Sequence, residues 1–147
     1  IYIRSIMQTF LPYADYTKSA QVLDNKRLGK QRVEALQILK AIYLEDYGWK
    51  QHPCVKMWKD YPESLMIYMD RCIDEWVSRG FKNTMPKSDL TDAPKPHWLG
   101  NERLHLSHQS NLLKKDYEFY KQYKWDVTDH LQYYWCGYSK LDEDNKR

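Results

Sequence analysis

Four polar residues recur at helical spacing in the segment Leu23–Glu34. Arg27, Lys30, Gln31 and Glu34 stand at i, i+3, i+4 and i+7, one stripe of a helix opposite an apolar one. Arginine and lysine hold phosphates, glutamine positions a base or a water, and glutamate passes protons. The same spacing also serves a plain solvated face, with Lys30 paired to Glu34 one turn on. Spacing alone leaves both readings open.

The charge distribution points weakly to a phosphate-bearing partner, and a solvated helix face accounts for it as well. The chain has 147 residues and a net charge of +3, and the excess sits early: residues 1–60 hold ten Lys/Arg against six Asp/Glu. Lys18, Lys26, Arg27, Lys30, Arg32 and Lys40 face only Asp24 and Glu34 in the segment 18–40. Further basic candidates are His52 in a His-Pro pair, Lys56 with Lys59 one turn on, and the Lys114–Lys115 pair. His105 and His108 are three apart and can share a helix face. No third histidine or nearby cysteine completes a metal site, so no metal and no cofactor is expected. Cys54, Cys72 and Cys136 are odd in number, widely spaced and lack a Cys-x-x-Cys pair, which fits a reducing, intracellular setting.

These residues need a scaffold, and the pattern predicts an all-α one. Met7–Pro12 reads as an extended lead-in. A first helix is predicted from a cap at Thr17 or Ser19 to about Leu44, with Gly29 marking a break or a close backbone approach. Pro53 opens a short helix to about Lys59, and Pro62 opens another that Gly80 stops. Residues 82–98, with Pro86, Pro94 and Pro96, read as a long surface loop. Asn101 caps a helix carrying Leu104, Leu112 and Leu113, Asp116–Tyr123 continues helical, and Trp125–Tyr138 reads as coil or a short strand. Trp49, Trp58 and Trp76 are placed in the core. Trp98, Tyr133, Tyr134 and Trp135 are candidates for base stacking or for lid packing. The expectation is a single compact helical domain over residues 1–147 with long connecting loops. Residues 1–6 read as an extension and 142–147 as a frayed tail. A mean hydropathy of −0.85 leaves no room for a membrane span.

Several motifs taken together are more specific than any one of them. They are Met7-Gln-Thr-Phe-Leu-Pro12, Arg27-Leu-Gly-Lys-Gln-Arg32, Tyr47-Gly-Trp-Lys-Gln-His-Pro53, Met57-Trp58, Ile67-Tyr68, Glu75-Trp-Val-Ser-Arg-Gly-Phe81 and Leu106-Ser-His-Gln-Ser110 with Lys114-Lys115. On these the chain resembles the pyrimidine-dimer DNA glycosylase family of the phage endonuclease V type, nearer to its bacterial and phage homologues.

The resemblance implies a compact all-α fold carrying a kinked duplex, with base extrusion costing a few kcal/mol. It also implies an α-amine that attacks the sugar C1′ to form an imine, and a helix glutamate that supports this step and a later β-elimination. Carried onto this sequence, the glutamate position falls on Gln31, with Lys30 before it, and Glu34 one turn later is the second candidate. The amine falls near Met7 or Gln8, with Lys30 or Lys26 as the side-chain substitute. Lys26, Arg27, Arg32, His52, Lys56, Lys114 and Lys115 are the expected DNA contacts. The expected function is therefore a base-excision glycosylase with lyase activity, a monomer on double-stranded DNA with no membrane partner. The alternative is a catalytically inactive DNA-binding or virion/nucleoid-associated module on the same fold.

Overall fold

The computed structural model describes residues 7–144. Helices are its regular structure, and no strand occurs among the described residues. They are α1 (Tyr16–Val22), α2 (Asn25–Tyr43), α3 (Pro53–Trp58), α4 (Pro62–Ser78), α5 (Glu102–Lys115), α6 (Tyr117–Tyr120) and α7 (Leu141–Asp144). The all-α class is as the sequence predicts. Residues 1–6, read as an extension, and 145–147, at the end of the expected frayed tail, lie outside the described residues.

The centre of the molecule is α2 packed against α4, with α1 also against α4. Leu28, Ala35, Ile38 and Leu39 of α2 meet the side of the core to which α4 contributes Leu65, Tyr68, Met69, Cys72 and Ile73. Burying each large side chain of this set contributes ~1.5–3 kcal/mol. Trp58 of α3 is fully buried and packs edge-on against Trp98, with ring centroids 4.9 Å apart.

Helix ends follow local chemistry with two corrections. Asp15, rather than Thr17 or Ser19, caps α1 by accepting from the Lys18 amide (2.8 Å). The single long helix expected up to Leu44 is two, because Leu23 is extended and buries its side chain completely. Gly29 does not break α2. Pro53 and Pro62 open α3 and α4, Asn101 caps α5, and Gly80 turns with φ +94° just past α4. Asp142, placed in the frayed tail by the sequence reading, is instead buried and accepts from the Trp135 and Gly137 amides.

The lead-in, residues 7–12, is buried at every position, yet it belongs to no sheet. A buried backbone must find partners, and here side chains supply them. Gln8 N–H donates to Glu34 (2.9 Å) and Gln8 C=O accepts from Gln31 Nε2 (2.9 Å). Phe10 N–H donates to Gln31 Oε1 (2.8 Å), and Phe10 C=O accepts from the Tyr68 hydroxyl (2.7 Å). Leu11 N–H donates to His108 Nδ1 (2.8 Å), and Pro12 C=O accepts from Gln109 Nε2 (2.9 Å). His105 Nε2 accepts from Gly100 N–H (3.0 Å), so its Nδ1–H donates to Leu11 C=O (2.8 Å).

This arrangement explains the histidine pair: both rings are neutral clamps on Leu11. Among the described residues no group of three His, Cys, Asp or Glu is placed to hold a metal ion. Burial, with His105 beside it, pushes the His108 imidazole down to about 3, and burial also lowers His105. Protonating His108 would set a second N–H against the Leu11 amide. The unfolded chain protonates histidine near 6.5, so this stability is complete above that pH and is lost as pH falls toward 3. The slope is ~1 kcal/mol per pH unit. His108→Asn keeps an acceptor but cannot titrate. Its unfolding free energy should fall less steeply between pH 6 and 4 than that of the wild type, measured by denaturant titration.

Candidate functional site

Five site residues share one run of α2. Lys26, Arg27, Lys30, Gln31 and Glu34 all line a cavity of about 130 Å³ with Phe10 and Lys115. Lys115 enters from the last turn of α5, across from α2. Lys26, Lys30 and Glu34 also line a neighbouring cleft of about 500 Å³, whose other walls include Met7, Gly29, Val33, Trp49 and Trp76. Glu34 therefore stands on the wall shared by a small cationic cavity and a larger apolar cleft.

Glu34 is half-buried, and its Oε2 accepts from the Gln8 amide (2.9 Å). Burial pushes its carboxyl above the usual range, while the Gln8 N–H, Lys30 and Lys115 pull it back. A carboxylate raised above its ordinary range by burial and set beside cations is suited to taking and returning a proton.

Arg27 is fixed from behind. It donates to Asp24 (3.2 Å), which also accepts a short hydrogen bond from the Tyr120 hydroxyl. Burial would raise the Asp24 carboxyl, but the Tyr120 hydroxyl and Arg27 hold it below its ordinary value. This positions a guanidinium at the cavity with few rotamers left to lose on binding an anion.

Gln31 is placed differently from the sequence expectation. It is 1% exposed, its oxygen accepts from Phe10 N–H and the Tyr68 hydroxyl (2.7 Å), and its nitrogen donates to Gln8 C=O. Every heavy polar atom of its side chain is engaged in pinning the lead-in.

The cleft's aromatic wall is rigid. Trp76 donates from Nε1 to Lys82 C=O (3.0 Å), stacks on Phe81 at 4.2 Å and carries the Arg32 guanidinium 4.3 Å from its ring centre. Gly29 meets its edge: a Cβ there would lie 3.0 Å from Cζ3. Glycine is required by close approach, not by conformation. Gly29→Ala, which gains ~1 kcal/mol in an exposed helix, should instead lose ~1–2 kcal/mol here because Trp76 is held on several sides. Thermal unfolding checks this; a raised midpoint would contradict it.

Not every expected contact converges. Arg32 turns to Trp76 and donates to Asn83 Oδ1 (3.1 Å). His52 caps α3, with Nδ1 accepting from Cys54 N–H (3.0 Å), and meets Trp135 edge-on. Lys56 lies on α3 with it, and exposed Lys114 lines neither cavity. Of the stacking candidates, Trp98 and Trp135 are buried in the core, while Trp49 and Trp76, placed in the core by the sequence, are half-buried and line the cleft. The +79° φ of Trp49 sets it on a strained loop after Gly48, which no spacing argument reveals.

Residues 7–89 match the sequence model of a family described as pyrimidine dimer DNA glycosylase, which is more than half of the chain. The chain belongs to the pyrimidine dimer DNA glycosylase family. No curated protein and no solved structure matches it. Family membership supports a pyrimidine-dimer DNA glycosylase-like function for the chain, with DNA as its partner. The glycosylase match contains Glu34, its three α2 cations and both cleft tryptophans, but stops before Lys115. No described helix is long and apolar enough to cross a membrane.

Proposed function

We propose that this chain is a DNA N-glycosylase with lyase activity, acting as a monomeric single domain on double-stranded DNA, and that Glu34 is its acid–base residue. The observation that carries the reading is the Glu34 carboxylate, set between a cavity lined by Lys26, Arg27, Lys30 and Lys115 and an apolar cleft walled by Trp49 and Trp76. The cations suit a sugar–phosphate backbone, and the flat apolar walls suit an extruded base, whose stacking contributes ~1–3 kcal/mol.

An amine lone pair attacks C1′, the glycosidic C1′–N bond breaks, and the base nitrogen keeps that electron pair and takes a proton from solvent, the base staying joined to its neighbour through the cyclobutane ring. Glu34 takes the excess proton of the attacking nitrogen and gives it to O4′ as the C1′–O4′ bond opens to an iminium. Glu34 removes the C2′ proton, the C3′–O3′ bond breaks, and water later hydrolyses the imine to return the amine. Two nitrogens are candidates for the amine. The Gln8 nitrogen, a backbone amide in this chain, lies 2.9 Å from Glu34 and is an α-amine only in a chain processed to begin there. Lys30 lines both cavities. Gln31 serves as the pin of the lead-in rather than as an acid or base. The inactive-module alternative rests on Gln31 at the glutamate position and on the identity of the amine; Glu34 answers the first of these grounds. The free thiols of Cys54, Cys72 and Cys136 suit a reducing, intracellular setting.

Duplexes carrying a cyclobutane dimer, an abasic site or no lesion test the reading. Glycosidic-bond cleavage, read as free pyrimidine released on photoreversal of the dimer, and strand cleavage are expected on the first, strand cleavage alone on the second and neither on the third. No product from any lesion would overturn it.

A further inference from the structure

The family match ends at residue 89, yet one wall of the Glu34 cavity comes from α5. Three of the cavity's cations rise from the same helix as Glu34, and Lys115 alone among them approaches from the opposite side. We infer that Lys115 is a positioning residue of the active site, the cross-cavity cation that keeps Glu34 a carboxylate aimed at the substrate. This rests on the reading of Glu34 as the acid–base residue.

Three observations support it. Glu34 is half-buried and its hydrogen-bond donor is a neutral backbone amide, so burial must be balanced by charge. The charged groups around it are Lys30 from α2 and Lys115 from α5, with Lys26 and Arg27 along the same cavity. The other titratable groups that sense Glu34 are Tyr68, Cys54 and Tyr133, all held neutral by burial. The influence is mutual: burial, Arg27 and Lys30 lower the Lys115 ammonium, and Glu34 raises it. Lys114, its neighbour, lines no part of the cavity and supplies the control.

The account separates two roles for adjacent lysines. A lysine that grips phosphate lowers affinity and the salt slope when removed, whatever happens at Glu34. A lysine that holds Glu34 ionised shifts the pH at which Glu34 titrates. The experiment is a carbon-13 NMR titration of glutamate carboxyls in the full chain without DNA, assigned through Glu34→Gln. It is paired with single-turnover pH–rate profiles at saturating dimer duplex.

In Lys115→Met, the Glu34 titration and the acid limb of the rate profile should both move to higher pH. Lys115→Arg should restore both, and Lys114→Met should leave the Glu34 titration of the DNA-free chain in place. An unmoved Glu34 titration in Lys115→Met, or an equal shift in Lys114→Met, would overturn the inference. The NMR arm does not depend on turnover. If the wild type releases no base but Lys115→Met still shifts Glu34, the positioning stands and the glycosylase reading falls.

Discussion

Glu34→Gln is expected to slow glycosidic-bond cleavage at a dimer in duplex DNA by about 10²–10⁴-fold, the range ascribed to a positioned general acid–base. The substitution is nearly isosteric, and the new amide oxygen can still accept from the Gln8 N–H that Glu34 now receives at 2.9 Å. The fold should therefore survive, and removing a half-buried carboxylate that burial disfavours should leave thermal stability unchanged or slightly raised. Duplex affinity should hold or tighten, because a negative charge leaves a cavity lined by four cations. Single-turnover rates beside a binding isotherm at fixed salt separate the two effects. A rate within threefold of wild type would remove Glu34 from the chemistry.

The second large effect falls on stability. Gln31→Leu leaves Phe10 N–H and Gln8 C=O unpaired in the interior and strips one acceptor from the Tyr68 hydroxyl. Each orphaned buried group costs ~1–3 kcal/mol, so the sum of about 3–5 kcal/mol is a large part of the stability of a small domain. Gln31→Glu should also destabilise. A carboxylate can accept from Phe10 and Tyr68 but cannot donate to Gln8 C=O, and it adds a second negative charge beside Glu34 at a position only 1% exposed. Denaturant unfolding measures both variants. If Gln31→Glu instead raised activity with unchanged stability, Gln31 would be at the reacting centre after all.

How far the sequence went can be judged from these two residues. Both were visible as members of one helical stripe, and the resemblance pointed to the same turn of α2. Spacing could not divide their roles, because a helical stripe has width. Gln31 faces the core at 1% exposure, and Glu34 is rotated toward the cavity. What decides between them is the lead-in, and its partners arrive from α2, α4 and α5 over 20 to nearly 100 residues of chain.

The same limit applies to the aromatics. Trp76 lies on an apolar stripe and reads as core, yet the close approach of Gly29 leaves it as a cleft wall. Trp98 sits in a proline-rich loop and reads as a stacking surface or a packed lid; its Nε1 donates to Met57 C=O (2.9 Å) inside the core. Helix starts at Pro53, Pro62 and Asn101 were legible because each is set by local chemistry. The break at Leu23 was not, since an apolar residue on the periodic stripe carries no local signal for it.

Borohydride reduction of the enzyme on a dimer-containing duplex tests the central claim most directly, because it freezes the imine that the Glu34 site is proposed to form and process. Wild-type protein should yield a covalent protein–DNA adduct that undamaged duplex does not give. Gln31→Leu, under conditions where it stays folded, should yield a weaker adduct, and Glu34→Gln should yield almost none. An adduct of full yield in Glu34→Gln, or no adduct and no glycosidic-bond cleavage with wild type, would contradict the account.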